Sequence, residues 1–298
     1  MDALVGEWLN LVIRWTHVIA GIAWIGSSFY FNWLDAKLRP PSPARPKVEG
    51  EAWLVHSGGF YRVEKIDVAP QEIPAELHWF KWEAAFTWIT GFLLLILLYH
   101  LGQGAFLQDA PQGFSDLLGI GGLIVGLSIA WTIYDLAWKS PLGDKPLLAG
   151  GLLFALLIAA AWGLSQVMTG QAAYLHVGAA LGTIMTANVW MRIIPAQRAL
   201  VAAARAGAKP EARLGKEAKK RSIHNNYMTL PVVFVMLSTH FASTWGHEWN
   251  WAVLAALMLV GAAVRHAFNL RNRGRNGLWI LPLAALAMLV LYYVVAAS

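Results

Sequence analysis

Nine histidines and no cysteine stand among the 298 residues, so any metal bound here must be held by imidazole, thioether or carboxylate groups. Disulfides, thiolate zinc sites, iron–sulfur clusters and covalently attached c-type haem, which needs a C-x-x-C-H sequence, are excluded. Two histidines have a suggestive setting. His17, Gly21, Trp24 and Ser28 recur at i, i+4, i+7 and i+11, which stacks an imidazole above a residue without a side chain and above an indole. His176, Ala179, Thr183 and Ala187 likewise share one small-residue face. Neutral imidazoles at similar depth on different helices are what bis-histidine ligation of a b-type haem requires. The expected ligand set is drawn from His17, His176 and His240, with Trp24 stacking on the macrocycle and His266 as a further metal ligand. The competing account is that small faces serve helix packing and that each histidine hydrogen-bonds a neighbouring helix. For His100 and His247, near the interface, that account is preferred.

A second, more polar group lies elsewhere in the chain. It comprises His78, Lys81 and Glu83; His224, Asn225, Asn226 and Tyr227; and Arg265, His266, Asn269 and Arg273. Such a set suits a polar, anionic small molecule. Glu83, about one helical turn inside the membrane, is placed for general-base work. Glu83, His224 and His78 are the expected catalytic residues, and Asn225, Asn226, Arg265 and Asn269 the expected substrate-binding ones. Lys81, Arg265 and Arg273 also suit plain anchoring at the interface.

The elements that must position these residues are membrane helices. Hydrophobic residues make up 57% of the chain and charged ones 13%, more apolar than a soluble surface tolerates. Apolar stretches of about 20 residues, enough to cross ~30 Å of hydrocarbon, fall at roughly 8–31, 80–101, 116–138, 147–168, 172–194, 225–245, 250–270 and 278–296. The expected fold is therefore all-α, a polytopic bundle of about eight transmembrane helices forming a single domain over 1–298. Two extramembrane loops interrupt it, at about 32–78, with a short hairpin, and at 195–223, as a surface helix or a continuation of the fifth span. Of the 23 Lys and Arg, all but Arg14 fall in or beside the connections between spans 1–2, 3–4, 5–6 and 7–8. Because cytoplasmic loops concentrate basic residues, those connections are expected to face the cytoplasm and both termini the periplasm. The first span has no basic n-region and is read as a retained helix. The net charge of +6 thus reports topology, with no nucleic-acid partner implied. Most of the 16 tryptophans fit interfacial belts.

Four strings, RWTHVIAGIAWIGSSFYFNWLD at 14–35, GGFYRVEK at 58–65, LHWFKWEA at 77–84 followed by TWITGF at 87–92, and HNNYMTLPVVFVMLSTHF at 224–241, resemble the membrane domain of the bacterial membrane-bound urate hydroxylases. The similarity runs across nearly the whole chain in the same order. It implies oxidation of urate to 5-hydroxyisourate with water as the oxygen source, in the bacterial inner membrane. Many members of that family carry a fused cytochrome c domain. With no C-x-x-C-H here, the electrons are expected to pass through b-type haem to a separate periplasmic cytochrome c. The first string also resembles the first helix of haem-binding protoporphyrinogen oxidases and of copper-resistance membrane proteins. That likeness covers one helix and implies haem or copper at His17. A purine-anion transporter is the alternative from another class, and it speaks less well to the sequence, which lacks paired broken helices and repeated halves.

Overall fold

The computed structural model describes residues 2–66, 72–100, 114–209 and 211–297, and the side chains of His100 and residues 114–118 lie outside that description. So do the end of the second span at 101, residues 67–71 of the first extramembrane loop and the connection at 101–113.

The chain opens with α1 (Ala3–Lys37), whose first turn is capped by Asp2 accepting from the Leu4 and Val5 amides. At 1.5 Å per residue its 35 residues measure about 52 Å, so α1 outruns the hydrocarbon. The hairpin β1 (Val48–His56) and β2 (Gly59–Ile66) follows, joined by Ser57 and Gly58. Both turn residues have positive φ, 48° and 76°, the twist that a two-residue hairpin turn demands. Arg45 bonds the carboxylates of Glu51 and Glu64, clamping the two strands.

Then come α2 (Trp82–Leu95, extended by a π-turn to His100), α3 (Phe114–Lys139) and α4 (Pro146–Ser165). α5 (Gly170–Asn188) runs through a π-turn at Val189–Ile193 into α6 (Ile194–Arg205). Pro195, with no amide hydrogen to donate, accounts for the disturbed helix ladder there. α7 (Ala212–Leu237), α8 (Ala242–Trp245), α9 (Asn250–Asn272) and α10 (Ile280–Ala296) complete the bundle. Six helical stretches among the described residues are long and apolar enough to cross a membrane: α1, α2 to Tyr99, α3 from Gly119, α4, α5 through α6, and α9. The shorter α10 is equally apolar in character, and the apolar half of α7 follows its charged half. The protein is an all-α membrane helix bundle with one short hairpin.

α5 is the centre. It packs on α2, α3, α4 and α7, and half of its span is buried, against 6% of α1. Tyr174 anchors it, its hydroxyl shared between the carbonyls of Thr244 at 3.0 Å and Asn250 at 2.7 Å. Around Tyr174 lie Val177, Leu181, Val235, Leu254 and Met258.

Two boundaries differ from the hydropathy reading. The fifth span continues as helix through Arg205, one of the two outcomes expected for 195–223, while the sixth starts early, at Ala212. The Ala, Lys, Arg and Glu residues of that segment are good helix formers even where they are not apolar. α7 ends at Leu237, so His240 sits in a 3-10 turn beyond the helix and is exposed, while His224 sits well inside α7. Lys219 reaches Asp35 at 3.1 Å and Arg205 reaches the Pro74 carbonyl at 2.8 Å, tying the α6–α7 pair to the end of α1 and to the first loop. This end of the bundle is called the loop end below, and the opposite one the terminal end.

Close packing around α5 makes one glycine indispensable. A Cβ on Gly178 would stand 2.5 Å from Val235 Cγ1, and Val235 is 1% exposed. Gly178→Ala should destabilise the bundle by about 1–3 kcal/mol, read as a lowered thermal midpoint in detergent, and Val235→Ala in the same chain should restore most of the loss.

Candidate functional site

The histidines predicted to bind haem take separate positions. His17 faces α2: its Nδ1 lies 2.9 Å from the Thr87 carbonyl and 3.0 Å from Thr90 Oγ1. A carbonyl only accepts, so Nδ1 carries the hydrogen and Nε2 the lone pair, the tautomer a metal-ligating histidine adopts. Gly91 makes room for the ring, since a Cβ there would meet His17 Cε1 at 2.8 Å. Gly21 is 4.0 Å from Thr87 by the same measure, and Trp24 packs with Ala84, Val189 and Ile194. The His17–Gly21–Trp24 stripe is thus the seam between α1 and α2, with helix in the space imagined for a macrocycle.

His176 donates from Nδ1 to the Ala172 carbonyl, 2.7 Å away on its own helix, and so has the same ligand-ready tautomer. α1 and α5 each pack on α2. Taking the Trp88–Thr183 and Thr186–Ala84 bonds as the register of α2 against α5, His176 lies about two helical turns nearer the terminal end than His17. His266 is exposed beside Tyr227, whose hydroxyl is 2.6 Å from its Nδ1. No three His, Asp or Glu among the described residues are gathered to hold a metal ion. His17 and His176 thus each have the tautomer of an iron ligand, but they stand at different depths and the His17 stripe is packed against α2, so the similar-depth pair expected from the sequence is not formed.

The polar group at the loop end is better developed, and it divides into three parts. On α2, Glu83 is one-quarter exposed and faces His78 Nε2 at 4.0 Å, with His78 itself largely exposed. Its Oε2 is buried with no hydrogen-bond partner. Between α7 and α9, Asn226 Oδ1 accepts from Arg265 Nε at 3.1 Å and from Asn269 Nδ2 at 2.8 Å. The Arg265 guanidinium carbon lies over the Phe29 ring of α1, 3.7 Å from its centre. Asn226 is 2% exposed and Arg265 5%, yet Asn226 Nδ2 and Arg265 Nη2 have no partner.

The third part joins α3, α5 and α7. Asn188, wholly buried where α5 gives way to its π-turn, donates to Tyr134 Oη and to Asn225 Oδ1, both at 2.9 Å. Tyr134 Oη, which accepts from Asn188, also lies 2.7 Å from His224 Nδ1. The His224 ring stands 4.0 Å from that of Trp138. Asn225 donates in turn to the Met185 carbonyl at 2.9 Å, so its amide is engaged within the protein. Beside Tyr134, Asp135 accepts from Arg192 Nε at 2.8 Å, Arg221 Nη2 at 2.9 Å and Lys139 Nζ at 3.0 Å.

Of the residues singled out in the sequence, Glu83 and His78 come together, as do Asn226, Arg265 and Asn269. His224 belongs to a different network, with Asn225. Sequence reasoning missed Asn188, Tyr134, Asp135, Arg192, Arg221 and Phe29. Asp135 and Arg221 carried a usable signal, opposite charges at the ends of two spans. Asn188 carried none, since one asparagine near the end of an apolar stretch reads as an interfacial residue.

Tyr134 is the hinge of the third network. Tyr134→Phe leaves an Asn188 donor unsatisfied in the interior, and should cost about 1–3 kcal/mol in a detergent unfolding titration. It should also remove the hydroxyl partner of His224 Nδ1, visible in the ring 15N shifts.

Among known protein families, the model described as urate oxidase N-terminal matches residues 3–297, nearly the entire chain. No curated protein and no solved structure matches it.

Proposed function

The chain belongs to the urate oxidase N-terminal family, and from that membership we propose that it is a membrane oxidoreductase that hydroxylates urate at C5. Urate and water give 5-hydroxyisourate, two protons and two electrons. In this reading the protein lies in the bacterial inner membrane with its termini outward, and the electrons leave to a separate cytochrome c.

The observation that carries the assignment is the set of buried, unpartnered polar atoms at the loop end: the donors Asn226 Nδ2 and Arg265 Nη2, and the acceptor Glu83 Oε2. Buried polar atoms without partners are costly, and a bound molecule with carbonyl oxygens and N–H groups would satisfy them. Urate has both. Arg265 and Asn226 would bind its carbonyl oxygens, while Asn269 and the Phe29 ring hold those two side chains in place. Glu83 would take the proton of water as the oxygen adds at C5, and His78, exposed beside it, would return that proton to solvent. His224 and Asn225, expected from the sequence to act on the substrate, belong instead to the Tyr134–Asn188 network and would have a positioning role only. Haem b, when bound, would supply one-electron acceptance from the substrate; His17 and His176 each have a ligand's tautomer, and because they stand at different depths they would serve singly and not as one pair, with the exposed His240 and His266 as further candidates.

The direct test is the optical spectrum of the purified protein, first with dithionite and then with urate under anaerobic conditions. Reduced b-type bands raised by urate are expected; a colourless protein that leaves urate unconsumed would end this reading. Within it, Glu83→Gln should lower kcat about 10²–10⁴-fold with KM little changed. Arg265→Gln should instead act chiefly on KM. Gly91→Ala, whose Cβ would press on His17 Cε1, should alter the haem bands in a protein that still folds.

A further inference from the structure

The loop end of α3 combines two features that the proposed reaction does not use. The first is a surplus of positive charge. Asp135, 5% exposed, meets Lys139, Arg192 and Arg221, and among the described residues no second carboxylate pairs with any of the three. Lys220 stands alongside, over the Trp138 ring at 5.0 Å and donating to the Gly143 carbonyl at 2.9 Å. Arg221 is 2% exposed and its Nη1 has no partner. Lys139 and Arg192 form the open rim of this cluster, their side chains 49% and 32% exposed.

The second feature lies directly along the same helix. A groove of 290 Å³ on α3, lined by Ile124, Val125, Ser128, Ile129, Thr132 and Ile133, is almost purely apolar. Ser128 and Thr132 turn their hydroxyls back onto the helix, to the Ile124 and Ser128 carbonyls, and so present little polarity outward. Lys139 continues the stripe of Ser128 and Thr132, being 11 and 7 residues further on. From Ile124 to Ile133 the rise is about 14 Å, close to half of the ~30 Å hydrocarbon thickness. The groove is therefore about one leaflet long, and the cationic rim at Lys139 stands about 9 Å further along the same helix.

We propose that this face of α3 binds one phospholipid with an anionic headgroup, its phosphate at Lys139 and Arg192 and an acyl chain along the Ile124–Ile133 groove. Charge complementarity selects this occupant over a neutral lipid, because the cations exceed Asp135 by two, three against one, before Lys220 is counted. Basic pockets between helices at membrane level are where acidic headgroups are held. The site is separate from the Glu83, Asn226 and Arg265 groups and does not depend on what they do.

The test is native mass spectrometry of the full chain in detergent, with phosphatidylglycerol or phosphatidylcholine of identical acyl chains, and inorganic phosphate as the free-anion control. Retention of phosphatidylglycerol about fivefold or more above phosphatidylcholine is expected. Lys139→Ala, at a largely exposed position, should remove about fivefold of that preference. Thr132→Trp, which fills the groove without touching charge, should reduce retention of both lipids. Equal retention of the two lipids, or an unchanged preference in Lys139→Ala, would overturn the proposal. Thermal stabilisation by phosphate alone equal to that by phosphatidylglycerol would show a free-anion site instead. A cysteine placed at Thr132 that crosslinks to a second copy would show the groove to be a subunit contact.

Discussion

Asp135 sets one carboxylate against cations from three elements: Lys139 on its own helix, Arg192 on the π-turn after α5, and Arg221 on α7. Removing one partner from such a buried group is far costlier than the group's net contribution, because the remaining charges are left without compensation. The arrangement therefore constrains more than it stabilises. It locks the loop ends of α3, α5 and α7 into one register, and Tyr134, the residue before Asp135, is delivered to Asn188 and His224 as a result. The π-turn has a part in this, since a regular helix through 189–193 would carry Arg192 to a different azimuth.

The distribution of unpartnered atoms follows a physical logic. In the span interiors the described polar side chains are mostly spent on their own helix, as with Thr16, Thr132 and Thr229 returning their hydroxyls to the carbonyl four residues back. At the loop end, by contrast, Glu83, Asn188, Arg221, Asn226 and Arg265 keep buried atoms unused. A bundle folded for stability alone would have paired or exposed them. Their concentration at one level is what the proposed binding of a polar ligand rests on, and the family to which the chain belongs points to a urate-related molecule.

His17 illustrates how one residue answers to both packing and chemistry. Its ring fills the space left by Gly91 and its Nδ1–H is taken by the Thr87 carbonyl, so it joins α1 to α2. The same bond directs the lone pair to Nε2, as ligation requires. What the structure shows at this position is packing, and it leaves the imidazole in a tautomer compatible with ligation.

Composition and the spacing of apolar runs determined the class of this protein by themselves, because a bilayer admits only helices or closed barrels and leaves a 20-residue signature of each helix. The hairpin was legible for a similar reason: Ser57-Gly58 between alternating strands is local chemistry. Glu83, Asn226, Arg265 and Asn269 could be singled out as candidates because charged and amide groups at membrane depth are rare enough to stand out. What belongs with what could be decided only in three dimensions. Nothing in the order of residues says that Asn188 meets Tyr134, that Phe29 lies under Arg265, or that His224 keeps company apart from Glu83. Those pairings depend on the azimuth of each helix, which is set by side-chain packing between segments remote in sequence. Hydropathy measures how deeply a residue is immersed and carries no information about which way it faces.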